Sequence, residues 1–265
     1  MQTGYYVTTG GMITQFNRLN IISNNLANIN TNAFKSDDIV IGDFERMFKE
    51  SRDILPKNNN TKESAKFLNR SLNKVPQVVA EYTDFSLGGM QKTGNDLDFA
   101  LTKKNAFFLV KTPQGIRATR DGSFQVNDEG HIVTKEGYEV LPKTYFQDYH
   151  LLEVRPNLPL KSDKNGDLYQ DGLQTNSLFI ASFDDLSKLK KIGNNLYDFG
   201  DMQPIENSKG AIVQGFIEKS NINAVKEMTN LIETNRLVEM YQKVMDTQMN
   251  ELNRDAIEKI ANYKA

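Results

Sequence analysis

The chain has 265 residues, enough for one large or two modest domains with cores of their own. Its 32 basic and 34 acidic side chains leave a formal net charge of −2, which favours neither nucleic acid nor an anionic membrane as partner. It has no Cys, hence no disulfide or thiolate–metal site, and no run of 18 apolar residues that would make a transmembrane helix.

In the first 36 residues the only charged side chains are Arg18 and Lys35, while seven Asn occur, at 17, 20, 24, 25, 28, 30 and 32. Apolar residues recur there at helical spacing: Tyr5, Met12, Phe16, Leu19 and Leu26, with Ile13, Ile22 and Ile29 alongside. The pattern predicts an amphipathic helix whose polar face is built of amides and hydroxyls. A face without Lys and Glu is either buried against other protein or not folded until it meets a partner. The helix should stop within 28–32, where Asn and Thr compete for the backbone. No basic patch precedes an apolar run, so no cleaved signal peptide is expected.

Residues 37–75 read as an extended connector, with a loop by composition at 56–61. From Pro76 the apolar period becomes two. Short strands are predicted at 77–83, 107–110, 116–120, 123–126, 131–134, 138–141, 151–154, 167–170, 177–183, 196–199 and 211–217. Gly- and Pro-containing turns separate them. Such spacing indicates an antiparallel β domain over 76–217.

The last stretch, 218–265, carries a heptad-type seam: Met228, Leu231, Asn235, Val238, Gln242, Met245, Met249 and Leu252. No Pro or Gly interrupts it, and the helix would be roughly 60 Å long. A seam of that length needs a partner helix, from this chain or from a neighbouring copy. Asn235 and Gln242 are polar seam positions of the kind that fix register. The resulting order is N-terminal helix (1–36), connector (37–75), β domain (76–217) and C-terminal helix (218–265). That is an α+β fold with a central antiparallel β domain and long terminal helices packing as a coiled-coil-like pair.

The chain offers little chemistry. Its two His, His131 and His150, are not spaced as metal ligands. Ser123, His131 and Asp121 lack a nucleophile elbow. The stretch 163–167 begins like a calcium loop, but Leu168 stands where Gly is required and Gln174 where a bidentate Glu is required. Gly10-Gly11 and Gly88-Gly89 match neither nucleotide fingerprint. No catalytic, cofactor or metal site is expected, and neither nucleic acid nor a small-molecule substrate.

Three stretches carry a resemblance. Residues 22–35 include Asn24, Asn25, Leu26, Ala27, Asn28, Phe34 and Lys35. Residues 95–134 include Asp96-Leu97-Asp98-Phe99, Thr119-Arg120-Asp121-Gly122 and Gly130-His131. Residues 215–229 include Glu218, Ser220 and Asn221 and continue to Arg236, Glu239 and Lys243. Together they resemble the N-terminal, central and C-terminal motifs of the flagellar rod and hook proteins, most of all the FlgF/FlgG rod proteins. Ala33 stands where family members usually carry Gly, and Ala tolerates a positive φ poorly.

The resemblance implies a structural subunit of the bacterial flagellar basal-body rod, the periplasmic drive shaft between motor and hook. It implies homo-oligomeric assembly, contacts with other proximal and distal rod proteins, and passage through the type III export apparatus. The terminal helices would form the inner layers of a hollow helical rod that transmits torque. The run Glu227-Met228-Thr229 to Lys243-Val244 looks more like FlgF, a proximal rod protein, than FlgG, the distal one. A secreted β-rich surface or adhesin-like coiled-coil protein is the alternative from another class.

Overall fold

The computed structural model describes residues 2–43, 76–155 and 158–262. The described residues fall into two compact units. The first draws on Met1–Leu26, Asp37–Tyr82 and Asn223–Ala265, and the second on Ala27–Ser36 and Thr83–Ile222.

The first unit is built on two helices, α1 (Gln2–Ala27) and the 39-residue C-terminal helix (Ala224–Asn262). α1 contains Gly4, Gly10 and Gly11, each costing about 1 kcal/mol against Ala in a helix interior. Packing therefore sustains it. Glycine at 11 lets the other helix come close: a Cβ there would lie 2.7 Å from the ring of Tyr241. Thr9 Oγ1 is 3.8 Å from Met245 Sδ, and Asn25 hydrogen-bonds Glu227. As the contacts fall along α1 from 25 to 11 to 9, they rise along the other helix from 227 to 241 to 245. The two helices run antiparallel. The C-terminal helix begins at an Asn223 cap, whose Oδ1 accepts from Lys226 N at 3.1 Å.

Two strands complete this unit, β1 (Asp37–Asp43) and β2 (Pro76–Thr83), paired in a two-stranded sheet. Asn25 clamps the start of β1 by donating to Asp37 O at 2.9 Å and accepting from Asp37 N at 3.1 Å. Thr14 Oγ1 donates to Pro76 O at 2.9 Å and ties α1 to β2. Residues 37–43 are thus a strand, and the strand expected within 77–83 belongs to the helical unit. Its partner is the strand directly after α1, a long-range pairing that local pattern does not encode. The loop expected at 56–61 lies outside the described residues.

The second unit is a β structure organised on β5 (Ala106–Thr112). Before it come β3 (Met90–Lys92) and β4 (Phe99–Leu101). After it come β6 (Gly115–Thr119), β7 (Gln125–Val126), β8 (Ile132–Val133) and β9 (Glu139–Val140). A one-turn helix, α2 (Tyr145–Asp148), precedes a small sheet of β10 (Lys161–Ser162), β11 (Asp167–Gln170) and β12 (Leu173–Ser177). Then follow β13 (Ile180–Ser182), β14 (Lys190–Gly193), β15 (Leu196–Asp198), β16 (Ile205–Glu206), β17 (Ile212–Gln214) and β18 (Phe216–Glu218). The C-terminal helix of the first unit is α3.

β5 pairs antiparallel with β6, β9 and β13. Its residues alternate between two cores. Ala106, Phe108 and Val110 pack with Phe99, Phe124, Ile132 and Leu152, while Phe107 and Leu109 pack with Phe85, Phe183 and Tyr197. A strand buried on both faces reads as a continuous apolar run, which is why 107–110 lacks polar alternation. The calcium-like stretch is the turn between β10 and β11: Asp163 Oδ1 accepts from Asn165 N at 2.8 Å and Asp167 N at 2.9 Å. The architecture is α+β, a β unit with N- and C-terminal helices.

Candidate functional site

α1 ends at the cluster of Asn, and the chain turns at once. Thr31 N donates to Asn28 O at 3.1 Å, and Phe34 N to Thr31 O at 3.4 Å. Ala33 stands at φ 55°, buried. For a residue with a Cβ that conformation costs about 1–2 kcal/mol, so the turn must be held from outside. Ala33 N donates to Glu218 O at 2.8 Å, Asn221 N to Phe34 O at 3.3 Å, and Asn195 Nδ2 to Asn32 O at 2.9 Å. Lys191 Nζ lies 4.1 Å from the centroid of the Phe34 ring and also bonds Lys35 O. The turn is docked on the β unit by β18, its following loop and the β14–β15 hairpin.

The docking leads into a closed charge cluster. Lys35 Nζ lies 2.7 Å from Glu218 Oε1, and Arg120 donates Nε and Nη2 to Glu218 Oε2 at 3.0 and 2.8 Å. All three side chains are at most 1% exposed. Gly88 N adds a fourth donor to the carboxylate, at 2.9 Å on Oε1, so both oxygens are saturated. Arg120 spends Nη1 on the carbonyls of Lys103, Lys104 and Ala106 and stacks 5.5 Å over Phe107. Lys35 also donates to Ser86 O at 2.5 Å. A Cβ at position 88 would stand 1.8 Å from Lys219 O, so only Gly allows that backbone approach.

Two buried cations face one buried anion. Burial and the Arg120 charge push the Lys35 ammonium below the ordinary lysine pKa, and Glu218 opposes the shift. Beside the cluster, Asn221 accepts from Ser36 N at 2.8 Å and donates to Asp84 O at 2.8 Å and Ser86 Oγ at 3.0 Å. Ser220 Oγ accepts from Ile222 N at 3.3 Å. Reading the sequence misses this cluster, because isolated charges look like solvated surface. One signal was available: Lys35 is one of only two charges in 36 residues.

The predicted seam residues divide. On α3, Leu231, Val238 and Met245 lie on the covered side, together with Glu227, Thr234 and Tyr241; Met228, Asn235, Gln242 and Met249 are exposed. The side chain of Leu252 lies outside the described residues. On α1, Met12, Leu19 and Leu26 are half-buried, Phe16 is 41% and Ile13 56% exposed. The buried stripe of α1 is Thr8, Gly11, Gln15, Ile22 and Asn25. Of the motif residues, Asn25 and Phe34 are buried, Leu26, Asn28, Ser220 and Asn221 half-buried, and Asn24 and Ala27 exposed.

The cluster does no chemistry on a ligand. Its carboxylate is saturated by the protein's own donors, and what it accomplishes is to fasten three distant segments together, as befits a structural protein. Three family models match those same segments. "Flagella basal body rod protein" matches residues 6–35, "Flagellar hook protein FlgE/F/G D1 domain" 103–170, and "Flagellar basal body rod FlgEFG protein C-terminal" 213–257. Lys35, Arg120 and Glu218 fall one in each.

Similar proteins include the flagellar basal-body rod protein FlgF of Caulobacter vibrioides, 32% identical and aligned over 98% of both chains. The flagellar basal-body rod protein FlgG of Buchnera aphidicola from Schizaphis graminum is 30% identical, over 91% of this chain and 94% of its own. FlgF of Mesorhizobium japonicum is 30% identical over 90% of both. The chain belongs to the FlgF/FlgG family of flagellar basal-body rod proteins. It is a structural subunit, not an enzyme.

Proposed function

We propose that this chain is a FlgF-like subunit of the proximal rod, assembling with further copies and with other rod proteins into a hollow helical shaft that carries torque from motor to hook. The observation that carries the reading is the apolar surface left on both terminal helices. Ile13 and Phe16 on α1, and Met228, Ile232, Met240, Val244 and Met249 on α3, are exposed although each helix already buries another stripe. Helices that keep apolar side chains exposed beside a buried stripe are suited to a multi-layered tube, where each subunit's helix pair packs coiled-coil-like against those of its neighbours. Asn235 and Gln242, exposed in the subunit, then act as register pins between copies. The absence of Cys suits a chain that passes unfolded through the export apparatus, without a cleaved signal peptide, and folds in the periplasm. The motif run from Glu227 to Val244 supports the proximal position.

Deleting the gene and imaging the cell envelope tests this reading. Basal bodies that end before the distal rod are the expected result. Complete rods bearing hooks would overturn it.

A further inference from the structure

We infer that Glu218 is the keystone of the β unit, and that burial of Lys35 and Arg120 waits for it. In a chain made or delivered N-terminus first, Lys35 precedes Glu218 by 183 residues and Arg120 precedes it by 98. Both cations are dry in the finished unit, and Glu218 is the one carboxylate either of them bonds among the described residues. Closing the β unit around them earlier would bury two like charges with no counter-charge, a state disfavoured far more strongly than one ion pair is favoured. Apolar packing gives no such order, because Phe99, Phe107 and Phe108 are buried as soon as they meet. The backbone agrees with the charges. Ala33 N donates to Glu218 O, Gly88 N to Glu218 Oε1 and Lys219 N to Gly89 O, so the same short segment closes the turn at 33 and the loop at 88. The unit is thereby fastened last at residues 218–221, next to the start of α3. It stays open, and able to thread or rearrange, until nearly the whole chain is present.

This order of folding is the same wherever in the rod the subunit sits. Pulsed hydrogen-exchange labelling during refolding of the full chain tests it. Amides at 33–36, 106, 120 and 218–221 should gain protection together, in the final phase of the β unit. Protection at 106 and 120 before 218–221 would overturn it. Glu218→Gln, which leaves two buried cations, should raise the opening constant of the β unit about 150- to 5,000-fold, to complete unfolding in the limit. Lys35→Met, which leaves a neutral Arg120–Glu218 pair, should raise it less than 10-fold. Equal effects of the two variants would also overturn it. The triple variant K35M/R120M/E218M separates charge from shape: it should fold, and its amides near 106 and 120 should now be protected before 218–221. A triple variant that keeps the wild-type order would show that the charges do not set it.

Discussion

Tyr241 of α3 fills the place where a side chain at position 11 of α1 would stand: Cε1 and Cζ of its ring lie 2.7 Å from that Cβ position. Closeness of the two helices there depends on a residue that weakens α1 by itself. Gly11→Ala gains about 1 kcal/mol of helix propensity and must shift a ring that can swing. It should leave the helix pair within about 1 kcal/mol of wild type. Gly11→Leu cannot be absorbed and should cost about 2–3 kcal/mol. Amide exchange at 238–245 reads the difference.

The two sides of α3 should respond differently to charge. Met228 and Phe16 are exposed in the subunit. Met228→Asp and Phe16→Asp should therefore change subunit stability by less than about 0.5 kcal/mol, yet abolish swimming. Leu231→Asp places a carboxylate on the covered side and should loosen the subunit's own helix pair, visible as lost protection in α1. Normal motility with Met228→Asp and Phe16→Asp would remove the neighbour-facing role from these exposed side chains.

Ala33 is a site where three small terms compete. Replacing it by Gly relieves about 1–2 kcal/mol of left-handed strain. It gives back about 0.4–1 kcal/mol through a freer unfolded chain and about 0.8 kcal/mol for a buried methyl. Ala33→Gly should therefore be close to neutral, which explains how Ala can hold a left-handed position. Ala33→Val adds a branched Cβ at φ 55° in a buried site and should lower the Tm of the β unit by several degrees.

Lys35 predicts an unusual pH dependence. Its pKa is lower in the folded chain than the ordinary 10.5 that it regains on unfolding. Between those two values the unfolded chain binds more protons than the folded one, so this group makes stability rise with pH. Below the folded value Lys35 is protonated in both states and its burial cost is fully present; the cost fades as pH climbs toward 10.5. Denaturant titrations of wild type and Lys35→Met from pH 7 to 10.5 should diverge in that direction. A wild type that loses stability relative to Lys35→Met over this range would contradict the burial argument.

The sequence made much of the fold legible where a local rule governed it. The helix stop after Ala27, the strands at 107–110, 116–120 and 167–170, and the uninterrupted C-terminal helix all follow from period, turn residues and the absence of Pro and Gly. The two faces of α3 were harder to tell apart. Leu231, Val238 and Met245 belong to two adjoining heptad rows. One row adds Met228, Asn235, Gln242 and Met249, the other Glu227, Thr234, Tyr241 and Gln248. Hydrophobicity favours the first, but the row that α1 covers is the second. The reason lies on α1, whose buried stripe includes Thr8, Gly11 and Gln15, small or polar residues, with Gly11 leaving room for the ring of Tyr241. The charge cluster was illegible for a related reason: whether Lys35, Arg120 and Glu218 are wet or dry is decided by segments up to 183 residues apart.

The interleaving of the two units limits how this protein can be recombined. The β unit is not one insert but two, residues 27–36 and 83–222. A chimaera that takes only 83–222 from a relative would set a foreign Arg120 and Glu218 against the resident Lys35, together with a foreign cradle for Ala33 and Phe34. Modular exchange of this β unit therefore requires a ten-residue graft far upstream, so that 27–36 and 83–222 move together.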